Sequence, residues 1–305
     1  MKKISPVFKK NESDTEQIKR ELKLLVRKSI FKNNAGSAAG RVMLEKKSGG
    51  YIYLYDSFVQ DRECKAIING IEKRLRDFEI SGKIIKLSTF TNPKILIEDE
   101  VRHGAKTVVM VGNDETFVRI LSRAANLPVI FGFIPVGQRK NHFADVLGIP
   151  LNEKACEIIA ARKIEKLDYA TINEKQFFIC YLFIPRARLK IECDGSFIVN
   201  LTQEKFEVAV ANLLPPPFES DKFVLHPQDG KMEVYLRPEG GGLFSKLVNG
   251  KKRQQMSRFL FKRALLKMDK STLVIADGKE TKENSILIEV NKEKLLMIVG
   301  KNRRF

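Results

Sequence analysis

The sequence predicts an α/β domain on a parallel sheet, followed by a β-rich domain with an antiparallel sandwich and a cleft between the two. Two observations carry this reading. Between residues 50 and 150 four short apolar runs alternate with helix-period segments, and after Pro150 the pattern becomes a succession of strands. Size agrees: 305 residues make about two domains at roughly 150 residues each. With 43% hydrophobic and 30% charged residues the chain has the composition of a globular protein, which excludes disordered and fibrous classes.

Residues 1–49 read as a basic extension. Ser13 and Asp14, followed by Glu16 and Gln17, offer a capping box for a helix reaching Phe31, with Ile18, Leu22 and Leu25 on one face. The first 50 residues hold thirteen Lys/Arg against five acids, so the helix is either a docked solvated element or an anchor to an anionic surface.

Residues 50–150 form the α/β domain. The strand and helix pairs are Tyr51–Tyr55 with Asp61–Ile80, Ile84–Leu87 with Lys94–His103, Thr107–Val111 with Thr116–Ala125, and Val129–Ile134 with Asn141–Leu147. Ligands of such sheets sit at the carboxyl ends of the strands, where loops become helix starts. Residues 151–305 form the β-rich domain. It opens with a helix over Asn152–Arg162. Strands follow at Tyr169–Ile172, Gln176–Ile184, Arg188–Cys193, Phe197–Leu201, Phe206–Ala211, Lys231–Leu236, Thr272–Ala276 and Ser285–Val299.

Fifty-five Lys/Arg against 37 acids give a formal charge of +18, a field that favours nucleotides, nucleic acid or acidic lipid surfaces. Cys64, Cys156, Cys180 and Cys193 are scattered without a Cys-x-x-Cys pair and read as free thiols of a cytoplasmic protein. The longest apolar run, Phe177–Pro185, is nine residues, against the ~20 of a membrane-spanning helix. Membrane contact is therefore expected to be peripheral. Phe244–Lys270 offers a surface for it, with nine Lys/Arg and one acid interleaved with Phe259, Leu260 and Phe261. The alternative is a hairpin or helix with an apolar core face and a solvated basic face.

Two loops carry the chemistry. After Thr107–Val111 comes Gly112-Asn113-Asp114-Glu115-Thr116, opening a helix where free N–H groups attract phosphate; Asn113 or Asp114 could equally be an N-cap alone. After Val129–Ile134 comes Pro135-Val136-Gly137-Gln138-Arg139-Lys140-Asn141-His142-Phe143-Ala144, then Leu147-Gly148-Ile149-Pro150. Together these resemble the catalytic domain of the diacylglycerol kinase and sphingosine kinase superfamily, with its Gly-Gly-Asp-Gly-Thr turn, Pro-Leu-Gly-Thr-Gly-Asn-Asp-Phe-Ala loop and Leu-Gly-Ile-Pro. Asp229-Gly230-Lys231-Met232-Glu233-Val234 and Asp277-Gly278-Lys279-Glu280 follow in the family's order.

The resemblance implies ATP and Mg2+ as cofactors and a lipid hydroxyl as acceptor. It places the nucleotide on Gly112, Asn113, Asp114, Glu115 and Thr116, with Gly137, Gln138, Arg139 and Asn141 from the second loop and Thr89 or Thr91 nearby. Asp229 and the carbonyls of Met232 and Val234 match a structural magnesium site, and an all-oxygen shell suits that ion. Asp114, Asp277 and Glu280 are the candidate catalytic side chains.

The sequence also departs from the family. Tyr55-Asp56-Ser57-Phe58-Val59 replaces a Gly/Pro phosphate turn, Asn113 and Glu115 replace glycines, and His142 replaces an aspartate. Lys279 stands where the family carries its glutamate base, and a protonated lysine accepts no proton. Glu280 serves only if the loop shifts. The reading is thus an ATP-dependent lipid kinase-like protein at an anionic membrane surface. A silent relative that binds lipid, nucleotide or a partner protein is the alternative. Nucleic-acid binding rests on charge without a motif. Monomer and homodimer stay open.

Overall fold

The computed structural model describes residues 50–88, 90–137, 141–213, 226–238 and 256–305. The expected N-terminal helix, Thr89, Gln138, Arg139 and the first part of Phe244–Lys270 lie outside these residues.

The chain enters strand β1 (Tyr51–Tyr55), passes two short 3-10 turns and forms helix α1 (Lys65–Asp77). Strand β2 (Lys83–Lys86), helix α2 (Pro93–Arg102), β3 (Thr107–Gly112), α3 (Asp114–Ala124), β4 (Ile130–Pro135) and α4 (His142–Leu147) follow. All residues of β3 are buried, as expected for a parallel strand covered on both faces. Helix α5 (Ala155–Ala161) leads to β5 (Ile164–Leu167).

The second sheet is built from β6 (Ala170–Ile172), β7 (Gln176–Phe178), β8 (Tyr181–Cys193), β9 (Phe197–Ala211), β10 (Met232–Pro238), β11 (Ser257–Phe261), β12 (Arg263–Ala276) and β13 (Lys279–Val290). Strand β14 (Leu295–Ile298) then returns to the first sheet.

The first sheet has the order β2-β1-β3-β4-β14-β5. Five strands are parallel, and β5 runs antiparallel to β14 at one edge. The second sheet is antiparallel in the order β11-β10-β9-β8-β12-β13-β6-β7. Its register shifts within β8/β9 and β8/β12, so the long strands bend. One apolar cluster then spans Leu189 and Ile191 together with Met232 and Phe261. The Phe197 ring meets Phe259 edge-on, with centroids 5.5 Å apart. The predicted fold class is the one observed.

Several strand boundaries differ from the sequence reading. Phe197–Leu201 and Phe206–Ala211 are one strand, because the polar residues between them sit where it bends. Ser285–Val299 divides into the end of β13 and β14, interrupted by Asn291–Lys294. Strands β5 and β11 add to those expected. In Ser257–Lys270, Phe261, Ala264, Leu266 and Met268 are buried and the basic residues face outward, the hairpin alternative rather than an apolar surface.

The two sheets are joined by buried polar struts. The Asn212 amide donates to the carbonyls of Asp168 and Ile179, both at 2.7 Å. Asp168, fully buried, accepts from the Gly230 N–H at 2.8 Å and pairs with Lys294. Asn212→Ala leaves two buried carbonyls without their donor. It should lower stability by about 2–4 kcal/mol, read as a shifted urea midpoint at unchanged slope.

Candidate active site

Because β1 to β4 are parallel, the loops after them share one end of the sheet. Gly112 closes β3, and its carbonyl accepts from the Val136 N–H at 2.7 Å. A Cβ on Gly112 would lie 2.2 Å from the Thr116 Oγ1. The glycine is thus required by the helix cap beneath it. Asn113 is the N-cap of α3: its Oδ1 accepts from Thr116 N–H at 3.0 Å, while Thr116 Oγ1 accepts from Asn113 N–H at 3.1 Å. The capping box satisfies two of the four N–H groups without an intrahelical acceptor, leaving those of Asp114 and Glu115.

Asp56 holds this cap from below. Its Oδ2 accepts from the Thr116 hydroxyl at 2.5 Å and from the Arg119 guanidinium at 3.1 Å. The residue is buried; the sequence reading gave it no role, and its place directly after an apolar strand is the only local signal of one.

Asp114 points across to the next loop. Its carboxylate accepts from the N–H of His142 at 3.0 Å and of Phe143 at 3.3 Å, at the start of α4. Asn141 caps the same helix through the Ala144 N–H at 2.9 Å. Gly137 has φ +138°, and a Cβ there would meet none of the described residues within 4 Å. The Asn152 side chain clamps Gly137 through its N–H at 3.1 Å and its carbonyl at 3.2 Å. Glu115 is exposed at the rim.

Asp277 opens the Asp-Gly turn between β12 and β13, with φ +46°. Its carboxylate is buried and accepts from three successive N–H groups, Ile179 at 2.8 Å, Cys180 at 3.0 Å and Tyr181 at 2.9 Å. Burial pushes its pKa from the ordinary 3.8 to about 6, against the pull of these donors. Burial first, then the charges of Asp277 and Asp114, hold the Cys180 thiol well above its usual range. Strand β7 packs against α3, and the Lys279 ammonium reaches Gln176 of β7 at 3.4 Å.

The structure thus brings Gly112–Thr116, Gly137 and Asn141 to one end of the first sheet, while the Asp277 turn is bonded to residues 179–181. Glu280 follows Lys279 in β13, so the two side chains leave opposite faces of the strand.

The expected magnesium donors lie in and just before β10. Asp229 is exposed and accepts from the Lys231 N–H of its own turn at 2.9 Å. Met232 and Val234 both pair with β11, and Val234 also pairs with Val210 of β9. No group of three His, Cys, Asp or Glu suited to a metal occurs among the described residues, a count that leaves out main-chain carbonyls such as these. Two N–H groups at the start of α3 and the Gly137 turn suit a phosphate chain.

A parallel α/β sheet followed by a large antiparallel sheet is the two-domain architecture of diacylglycerol kinase-like folds. Residues 52–172 match the family model of the diacylglycerol kinase catalytic domain. The fold is similar to a diacylglycerol kinase from Bacillus anthracis str. Sterne, at TM-score 0.67 and 17% identity, covering 83% of this chain and 97% of that one. Two further solved structures from the same organism match at TM-scores 0.66 and 0.68 and 16% identity, each covering 83% of this chain and 98% of theirs. No curated protein matches the sequence. Likeness to the family is thus carried by sequence over residues 52–172 and by fold over the two sheets.

Because Asp277 holds its proton more tightly folded than unfolded, its contribution to stability is present below about pH 4 and lost as pH rises through 6. Asp277→Asn should remove that component. Plotted against pH, the melting temperature of the parent should fall between pH 4 and 6 relative to the variant.

Proposed function

We propose that this protein is an ATP-dependent lipid kinase-like phosphotransferase of the cytoplasm that acts on a diacylglycerol-like hydroxyl at an anionic membrane surface. One observation supports this most: the start of α3 and the Gly137 turn share one end of the parallel sheet, where Asp114 bonds the start of α4. ATP held there supplies the phosphoryl group. The N–H groups of Asp114 and Glu115 grip its phosphates, and Asp114 fixes the start of α4 against that of α3.

Asp277 is a positioning residue. It locks the turn that carries Lys279 onto residues 179–181. A phosphoryl group transfers through a loose transition state that asks more of charge stabilisation than of a base. Lys279 supplies positive charge on this side of the turn. Asp229 and the carbonyls of Met232 and Val234 would hold a structural magnesium, as the resemblance implies, and no step is routed through it.

Lys279 also favours a second reading, in which the site binds nucleotide without transferring it, since no carboxylate stands where the acceptor's proton must go. Incubation with γ-labelled ATP, Mg2+ and diacylglycerol vesicles separates the two. Transfer predicts label in the lipid, reduced at least tenfold by Asp114→Ala, with thermal stability followed in parallel because the change also uncaps α4. Silence predicts no labelled lipid while ATP still raises the melting temperature. Lys279→Glu separates them further: under the first reading the loss of positive charge should reduce transfer, whereas under the second a carboxylate at that position should bring transfer about.

A further inference from the structure

Seven large apolar side chains are substantially exposed among the described residues, and three fall within twelve residues of one another: Ile84 at 42%, Phe90 at 97% and Ile95 at 62%. They belong to β2, to the loop after it and to the first turn of α2. Strand β2 is the outer strand of the first sheet, with one edge unpaired by the described residues.

Phe90 is held outward by built structure. The Thr91 N–H donates to the Ser88 carbonyl at 3.1 Å, Thr91 Oγ1 accepts from the Ser88 N–H at 3.0 Å, and the two hydroxyls meet at 2.9 Å. Asn92 then caps α2 through the Lys94 N–H at 3.1 Å, with Pro93 in the first helical position. The ring thus sits beside the bonded Ser88–Thr91 pair and touches almost none of the described residues. It lies at the carboxyl end of the parallel strands, the end that carries Gly112–Thr116.

The surrounding charge selects the partner. Residues 83–97 contain three lysines and no acid. Lys86 is exposed, Lys83 pairs with Glu100 at 2.5 Å, and Lys94 lies 4.0 Å from Glu98. A protruding aromatic ring beside an aliphatic side chain, flanked by lysines, is suited to the interface of an anionic bilayer, where the ring leaves water and the ammonium groups meet headgroups.

We propose that Phe90 and Ile95 form a wedge that inserts into an anionic lipid surface and turns the mouth at the start of α3 toward it. This deepens the proposed function and rests on it for the source of the acceptor, but the contact is measurable without ATP.

The chain contains no tryptophan, so Phe90→Trp makes a single fluorescent reporter in the full-length protein. With phosphatidylglycerol vesicles its emission should shift to the blue and be quenched by brominated acyl chains, whereas Ile198→Trp, exposed on the second sheet, should not respond. In sedimentation with the same vesicles, Phe90→Ser should weaken binding about tenfold, with folding checked by an unchanged melting temperature. An unshifted Phe90→Trp, or Phe90→Ser binding as tightly as the parent, overturns the wedge. So does a Phe90→Ser that converts a dimer to a monomer without changing vesicle binding, since the ring would then cover a second copy. If the wedge binds but no lipid is labelled, transfer fails and the wedge stands.

Discussion

A carboxylate buried against three consecutive backbone N–H groups ties the described part of the molecule together. Asp277 lies in a turn of the antiparallel sheet, yet its oxygens are spent on Ile179, Cys180 and Tyr181, where the chain passes from β7 into β8. Taking that charge out of water is costly, as the raised pKa records. The cost is offset because three peptide dipoles point at it and because the alternative leaves three buried donors unpaired. Nearby, Asn212 bonds the same segment and Asp168. The lower wall of the candidate site is therefore fixed before any ligand arrives.

The upper wall follows the same logic with different residues. Asp56 supports the cap of α3 through the Thr116 hydroxyl, and Asp114 supports the start of α4 through two N–H groups. Each acid satisfies donors that helix geometry leaves open. This gives a different reason for the lost family glycines. Where Asn113 stands in place of a glycine, its side chain closes the capping box with Thr116. Rigidity thus comes from side chains rather than from a glycine-rich turn. Among the described residues, what remains open toward solvent is narrow: two N–H groups at Asp114 and Glu115, and the face of Gly137.

Much of the first sheet was legible because its strands are buried on both faces and read as unbroken apolar runs. Tyr51–Tyr55 and Thr107–Val111 are nearly the observed strands. Strand β5 was not legible, since Ile-Glu-Lys-Leu at a sheet edge carries too little pattern, and β14 was hidden because its run adjoins that of β13. The turns at Gly112 and Gly137 were visible in composition. The work of Asp277 was not, because its three donors lie almost a hundred residues away and no local pattern encodes them.

The central claim is that a nucleotide's phosphates rest on the first turn of α3. Backbone amide resonances followed by NMR during titration with a non-hydrolysable ATP analogue test it directly. The account predicts saturable shifts at Asp114, Glu115 and Gly137, with smaller ones at His142 and Phe143 as the Asp114 carboxylate adjusts. Resonances of these residues that stay still at millimolar analogue, or shifts confined to the far end of the second sheet, would contradict it.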